Sequence, residues 1–120
     1  MKEVSTSIEY EGKKYDLYYN LNVMMEIQGE YKTLAKWGEL TDGKSNDGEP
    51  DIRALCFGVT AMINEGIDIN NEKNGTKEPH ITLKEAGRLL TDIGLSEMTK
   101  TVNDVVIESA GESKENLKNE

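Results

Sequence analysis

Val4-Ser5-Thr6-Ser7-Ile8-Glu9-Tyr10-Glu11-Gly12-Lys13-Lys14-Tyr15-Asp16-Leu17-Tyr18-Tyr19 is the stretch that decides the fold. Val4, Thr6, Ile8 and Tyr10 alternate with Ser5, Ser7 and Glu9, and Lys13, Tyr15, Leu17 and Tyr19 define one face of a second run after Glu11-Gly12. Period-two alternation gives each run one side to bury, the mark of a β-strand. Gly12 supplies the positive φ that a tight reversal requires. The stretch is therefore a β-hairpin. A two-stranded hairpin is marginal alone in water, so the helices that follow, or strands from another subunit, must cover it. Its outer edge is an open pairing site unless something masks it, which offers a route to homo-oligomers.

Helical spacing governs the rest of the chain. Asn20 is a good N-cap, after which Leu21, Met24, Met25 and Gln28 fall on one stripe, with Ile27 and Tyr31 beside it, and the helix is expected to run to about Gly29. A shorter piece from Thr33 to about Leu40 carries Leu34 and Trp37 on one side, Trp37 reading as a core plug. Residues 41–50 have nothing to bury and read as a flexible loop. Asp51 then opens the most apolar helix, with Ile52, Leu55, Cys56, Val59, Met62 and Ile63 inward and Gly66 as its expected terminator. A second polar, flexible connection is expected near 67–80. Thr82-Leu83-Lys84-Glu85 matches a capping box, followed by a stripe of Leu83, Ala86, Leu90 and Ile93 that Gly94 closes. Ser96 caps the last helix, whose Met98, Val102, Val105 and Val106 face inward as far as about Ala110. The expectation is one α+β domain over residues 1–110, an N-terminal β-hairpin followed by a bundle of about four to five helices, with a disordered C-terminal tail over 111–120.

Composition narrows the function. Acidic side chains outnumber basic ones 23 to 14, a net charge of −9. Such a field repels phosphate backbones and anionic headgroups, which argues against nucleic acid and membrane as partners. Cys56 is the only cysteine, so neither an intramolecular disulfide nor a cysteine zinc cluster can form, and its place on an apolar helical face makes it a small core residue. No apolar run of signal-peptide or membrane-span length occurs. The chain reads as soluble and cytoplasmic.

Three motifs invite chemistry and fail on context. Gly38-Glu39-Leu40-Thr41-Asp42-Gly43-Lys44-Ser45 satisfies the Walker A expression letter for letter. Phosphate cradling needs that loop to leave a buried strand and enter a helix. Here a helix precedes it, Asn46-Asp47-Gly48-Glu49-Pro50 follows, and Asp42 and Asp47 would repel the anion. Asn70, Glu72, Asn74 and Gly75 mimic part of an EF-hand loop, but Ile81 stands where a bidentate Glu is required. His80, the sole histidine, has no His or Cys partner for a metal site or nucleophilic triad. No catalytic, cofactor or metal residues are expected, and no enzyme. Met62 and Met98 read as core. The two-sided apolarity of the first helix leaves Met24, Met25 and Tyr31, with Tyr18 on the hairpin's second face, as the candidate partner-binding residues.

The segment Gly12-Lys13-Lys14-Tyr15-Asp16-Leu17-Tyr18-Tyr19-Asn20, the Arg53-Ala54-Leu55 segment and the Thr82-Leu83-Lys84-Glu85-Ala86-Gly87 helix start resemble the tail assembly chaperones of long-tailed phages and prophages of Gram-positive bacteria. The similarity spans most of residues 4–110, with the polar insertions at 41–50 and 67–79 as departures. The resemblance implies a non-enzymatic role in tail morphogenesis: binding the tape measure protein, helping to recruit tail tube subunits, and leaving before the virion is finished. It also implies a host-cytoplasmic location. Two alternatives stand beside it: a structural tail protein, as tube or completion subunit, and a nucleotide-binding protein through Gly38–Ser45.

Overall fold

The computed structural model describes residues 5–43 and 47–118. Two antiparallel strands, β1 (Ser5–Tyr10) and β2 (Lys13–Tyr18), are followed by α1 (Leu21–Tyr31), α2 (Leu34–Asp42), α3 (Ile52–Asn74), α4 (Leu83–Ile93) and α5 (Leu95–Lys118). The hairpin register pairs Ile8 with Tyr15 and Thr6 with Leu17. Glu11 and Gly12 both take positive φ, 51° and 77°, the pattern of a type I′ turn whose twist matches that of the strands. Val4, assigned to the first strand's face, lies outside the described residues.

Four helix starts are where local chemistry placed them; the fifth is not, because α5 begins at Leu95 and Ser96, the expected cap, lies inside its first turn, with the Met98 N–H on the Gly94 carbonyl. Asn20, Thr33, Asp51 and Thr82 each accept a hydrogen bond from the backbone N–H three residues on. Thr82 and Glu85 form the full capping box, with the Glu85 carboxylate accepting from the Thr82 N–H at 2.9 Å.

Helix α3 is the spine. Leu55, Val59, Met62 and Ile63 are fully buried, and Cys56 lies with them. Leu17, Val23, Ile27, Trp37, Leu89, Met98, Val102 and Val105 complete the cluster from the surrounding elements. Burying each large apolar side chain contributes about 1.5–3 kcal/mol.

Two glycines let other elements approach that spine. Gly58 lies under the Trp37 indole, and Gly66 lies against the backbone carbonyl of Asp16 in β2. Gly66 therefore does not end the helix. The helix runs on to Asn74 and closes at Gly75 in the left-handed conformation, so the flexible connection expected over 67–80 shrinks to residues 75–82. That shorter segment is tied back to α3: the Asn71 side chain bonds the backbone of Glu78, Asn64 bonds that of Ile81, and His80 pairs with Asp68 at 2.8 Å.

Four further expectations change. The inward side of α1 is Val23 and Ile27, the first of which the stripe read from the sequence did not include. Ile52, assigned to the inner face of α3, is exposed. The ends of the 41–50 loop are stapled by Gly48 N–H to Gly43 C=O and Asp51 N–H to Leu40 C=O. Finally, α5 continues as helical backbone over 111–118, past the Ala110 boundary read from the apolar stripe; residues 119 and 120 lie outside the described part. Among the described residues no helix is long and apolar enough to cross a membrane.

Candidate functional site: an exposed apolar ridge on the first helix

The phase of α1 is set by what it docks on. Asn20 caps the helix by accepting from the Val23 N–H at 3.2 Å, and its amide donates to Glu65 of α3 at 2.7 Å. Asn22 donates to the same carboxylate at 3.1 Å. With the first turn held this way, Val23 and Ile27 enter the core, and the opposite side of the helix must face outward. Leu21 and Met25, one turn apart, stand 74% and 61% exposed. Residues four apart are surface neighbours on a helix, so these two form an apolar ridge. Gly29 continues it as a bare backbone position, where an added β-carbon would meet no other described element within 4 Å.

Of the four residues singled out from the sequence, Met25 stands on this ridge and Met24 borders it, half-buried. Tyr31 is half-buried at the helix end, edge-on to Phe57 with ring centroids 5.6 Å apart. Among the described residues its buried hydroxyl has no hydrogen-bond partner, and burial, followed by the charge of Asp51, raises its pKa. Tyr18 is buried, 8% exposed, and contributes to the core rather than to a surface. Alternation alone pointed it outward; the helices packed around the end of β2 enclose it. Leu21, which the sequence reading placed on the same stripe as Met25 without naming it a binding residue, is the residue missed. Its signal was the competing Val23–Ile27 pair, an equally good i, i+4 stripe.

The same helix carries Glu26 and Glu30, both exposed, and Glu65 lies beside its start. Glu30 lies 3.7 Å from Arg53, an exposed pair worth at most about 1 kcal/mol. The surface can bury apolar side chains of a partner and favours basic groups at their margin.

Elsewhere, an open groove of about 670 Å³ separates the end of α2 and the 48–50 segment from α5, lined by Thr41, Asp42, Pro50, Leu95, Thr99 and Lys100. Gly38 to Asp42 of the Walker-like stretch lie in α2 and Gly43 caps it; Lys44 and Ser45 lie outside the described residues. Asn70, Glu72 and Asn74 are turns of α3, with the Asn70 amide on Asp16 at 3.0 Å. Among the described residues no group of three or more His, Cys, Asp or Glu could hold a metal ion.

No family model, no curated protein and no solved structure matches this chain.

Proposed function

We propose that this protein is a non-enzymatic tail assembly chaperone of a long-tailed phage or prophage, which binds the tape measure protein and helps to recruit tail tube subunits. The observation that carries the reading is the Leu21–Met25 ridge, an exposed apolar surface on an otherwise acidic helical domain. A long apolar helix is insoluble until its stripe is covered, and an apolar ridge gives it something to pack on in the helix-against-helix mode. The net charge of −9 then keeps the loaded complexes apart. The sequence resemblance described above supplies the tail-assembly context. In this reading the protein works in the host cytoplasm and is absent from the finished virion.

Co-expression with the neighbouring tape measure and tail tube proteins tests it. The expected result is a soluble complex with the tape measure, weakened by Leu21→Glu and Met25→Glu. Failure to associate with either protein, or recovery of the chain from purified mature tails, would overturn the assignment.

A further inference from the structure

The two edges of the hairpin are treated differently. In a hairpin closed by a two-residue turn the flanking pair, Tyr10 and Lys13, exchanges hydrogen bonds, and bonded pairs then alternate along the strands. Ile8–Tyr15 and Thr6–Leu17 bond inward; Ser7–Asp16 and Glu9–Lys14 turn their N–H and C=O groups outward. On the β2 side the outward carbonyl of Asp16 meets Gly66, so α3 covers that edge. On the β1 side, among the described residues, no backbone hydrogen bond outside the hairpin reaches Ser7 or Glu9, and both are exposed. Ser5–Tyr10 contains no proline, lysine or bulge, and its one charged side chain, Glu9, lies opposite Lys14 of the same hairpin.

We propose that a second copy of this chain occupies the edge, with β1 antiparallel to β1 about a two-fold axis through Ser7. The register follows from the chemistry of the strand. Ser7 faces Ser7 across the axis, and Glu9 faces Ser5 of the second copy, so the two Glu9 carboxylates do not meet. Each Glu9 already lies opposite Lys14 in its own hairpin, which leaves the edge locally free of unbalanced charge. On the other face Ile8 comes opposite Thr6, and the half-buried row Thr6, Ile8, Tyr10 continues across the axis. The strand is complementary to itself, as an isologous interface requires. Pairing turns a marginal two-stranded ribbon into a four-stranded sheet, β2-β1-β1-β2. Each copy carries −9, so added salt strengthens the association by screening the repulsion between whole molecules.

Sedimentation equilibrium of the full chain at roughly 100 µM, well above a micromolar Kd, tests the pairing directly. The expected species has twice the 13.4 kDa chain mass, and its fraction grows between about 20 and 300 mM NaCl as the screening length shortens. Ser7→Pro removes the outward N–H that would bond across the axis, while every hairpin backbone bond stays in place because Ser7 and Asp16 form a non-bonded pair. It is expected to be monomeric with an unchanged circular dichroism spectrum. In Ser7→Cys the two positions on the axis are about 5.5 Å apart at Cα, inside the disulfide range, and mild oxidation should link the copies. A wild-type chain that sediments as monomer at every salt concentration, or a Ser7→Pro chain that dimerises like wild type, would overturn the proposal. The chaperone reading is tested separately, by whether monomeric Ser7→Pro still carries the tape measure protein.

Discussion

The indole of Trp37 rests on the bare backbone of α3 at Gly58: a β-carbon there would come within 2.9 Å of the ring's Cε2. The indole N–H donates to the Ala54 carbonyl one turn earlier, at 2.9 Å, and the ring stacks on Tyr19. Trp37 is therefore pinned and cannot step aside. Gly58→Ala is expected to lower stability by about 1–3 kcal/mol through overpacking. Gly29→Ala, in an exposed turn of α1 with open space around it, should instead raise stability by roughly 0.5–1 kcal/mol. Urea unfolding followed by the fluorescence of the single tryptophan gives both values. Equal effects at the two glycines would contradict the packing described.

The two sides of α1 should separate stability from binding. Ile27 is fully buried, and Ile27→Ala is expected to cost about 2–5 kcal/mol. Leu21→Glu and Met25→Glu change exposed positions and should stay within about 0.5 kcal/mol of wild type. A ridge substitution that unfolds the protein would show that α1 docks in the other phase.

Tyr31 buries a hydroxyl with no hydrogen-bond partner among the described residues. Replacing it with Phe removes the unsatisfied group while keeping the edge contact with Phe57. Tyr31→Phe should be neutral or stabilising by up to about 1 kcal/mol. A clear loss of stability on denaturant unfolding would mean that the hydroxyl is satisfied in solution.

Asp16 links the hairpin to α3 and gives the fold an acid-sensitive contact. Its carboxyl is held below the ordinary value of 3.8, chiefly by the hydrogen bond from Asn70, against the opposing effect of burial and with help from Ser7. A depressed folded pKa means that the unfolded chain binds the proton first as pH falls. The contribution is complete above the unfolded value of 3.8 and is lost as pH drops through the lower folded one. Asn70→Ala should flatten this acid-side loss and move the Asp16 carboxyl carbon titration, read by NMR, upward. An unchanged titration would remove Asn70 as the cause.

Elements whose signals lie in a few neighbouring residues were legible in the sequence. The hairpin follows from alternation and the Glu11-Gly12 turn, and the four helix starts from capping side chains that bond three residues ahead. Cys56, Met62 and Met98 are buried where their spacing put them. The tertiary structure alone decided the phase of α1, because a helix apolar on two sides can bury either, and Asn20 and Asn22 meeting Glu65 selected one. It also decided the meaning of Gly66. A glycine can stop a helix or admit a close neighbour, and that choice rests on Asp16, fifty residues away in sequence, whose carbonyl arrives there only when the fold is complete. The exposed ridge of Leu21 and Met25 is a product of that same packing, since a side chain becomes a surface only when its neighbours have been buried elsewhere.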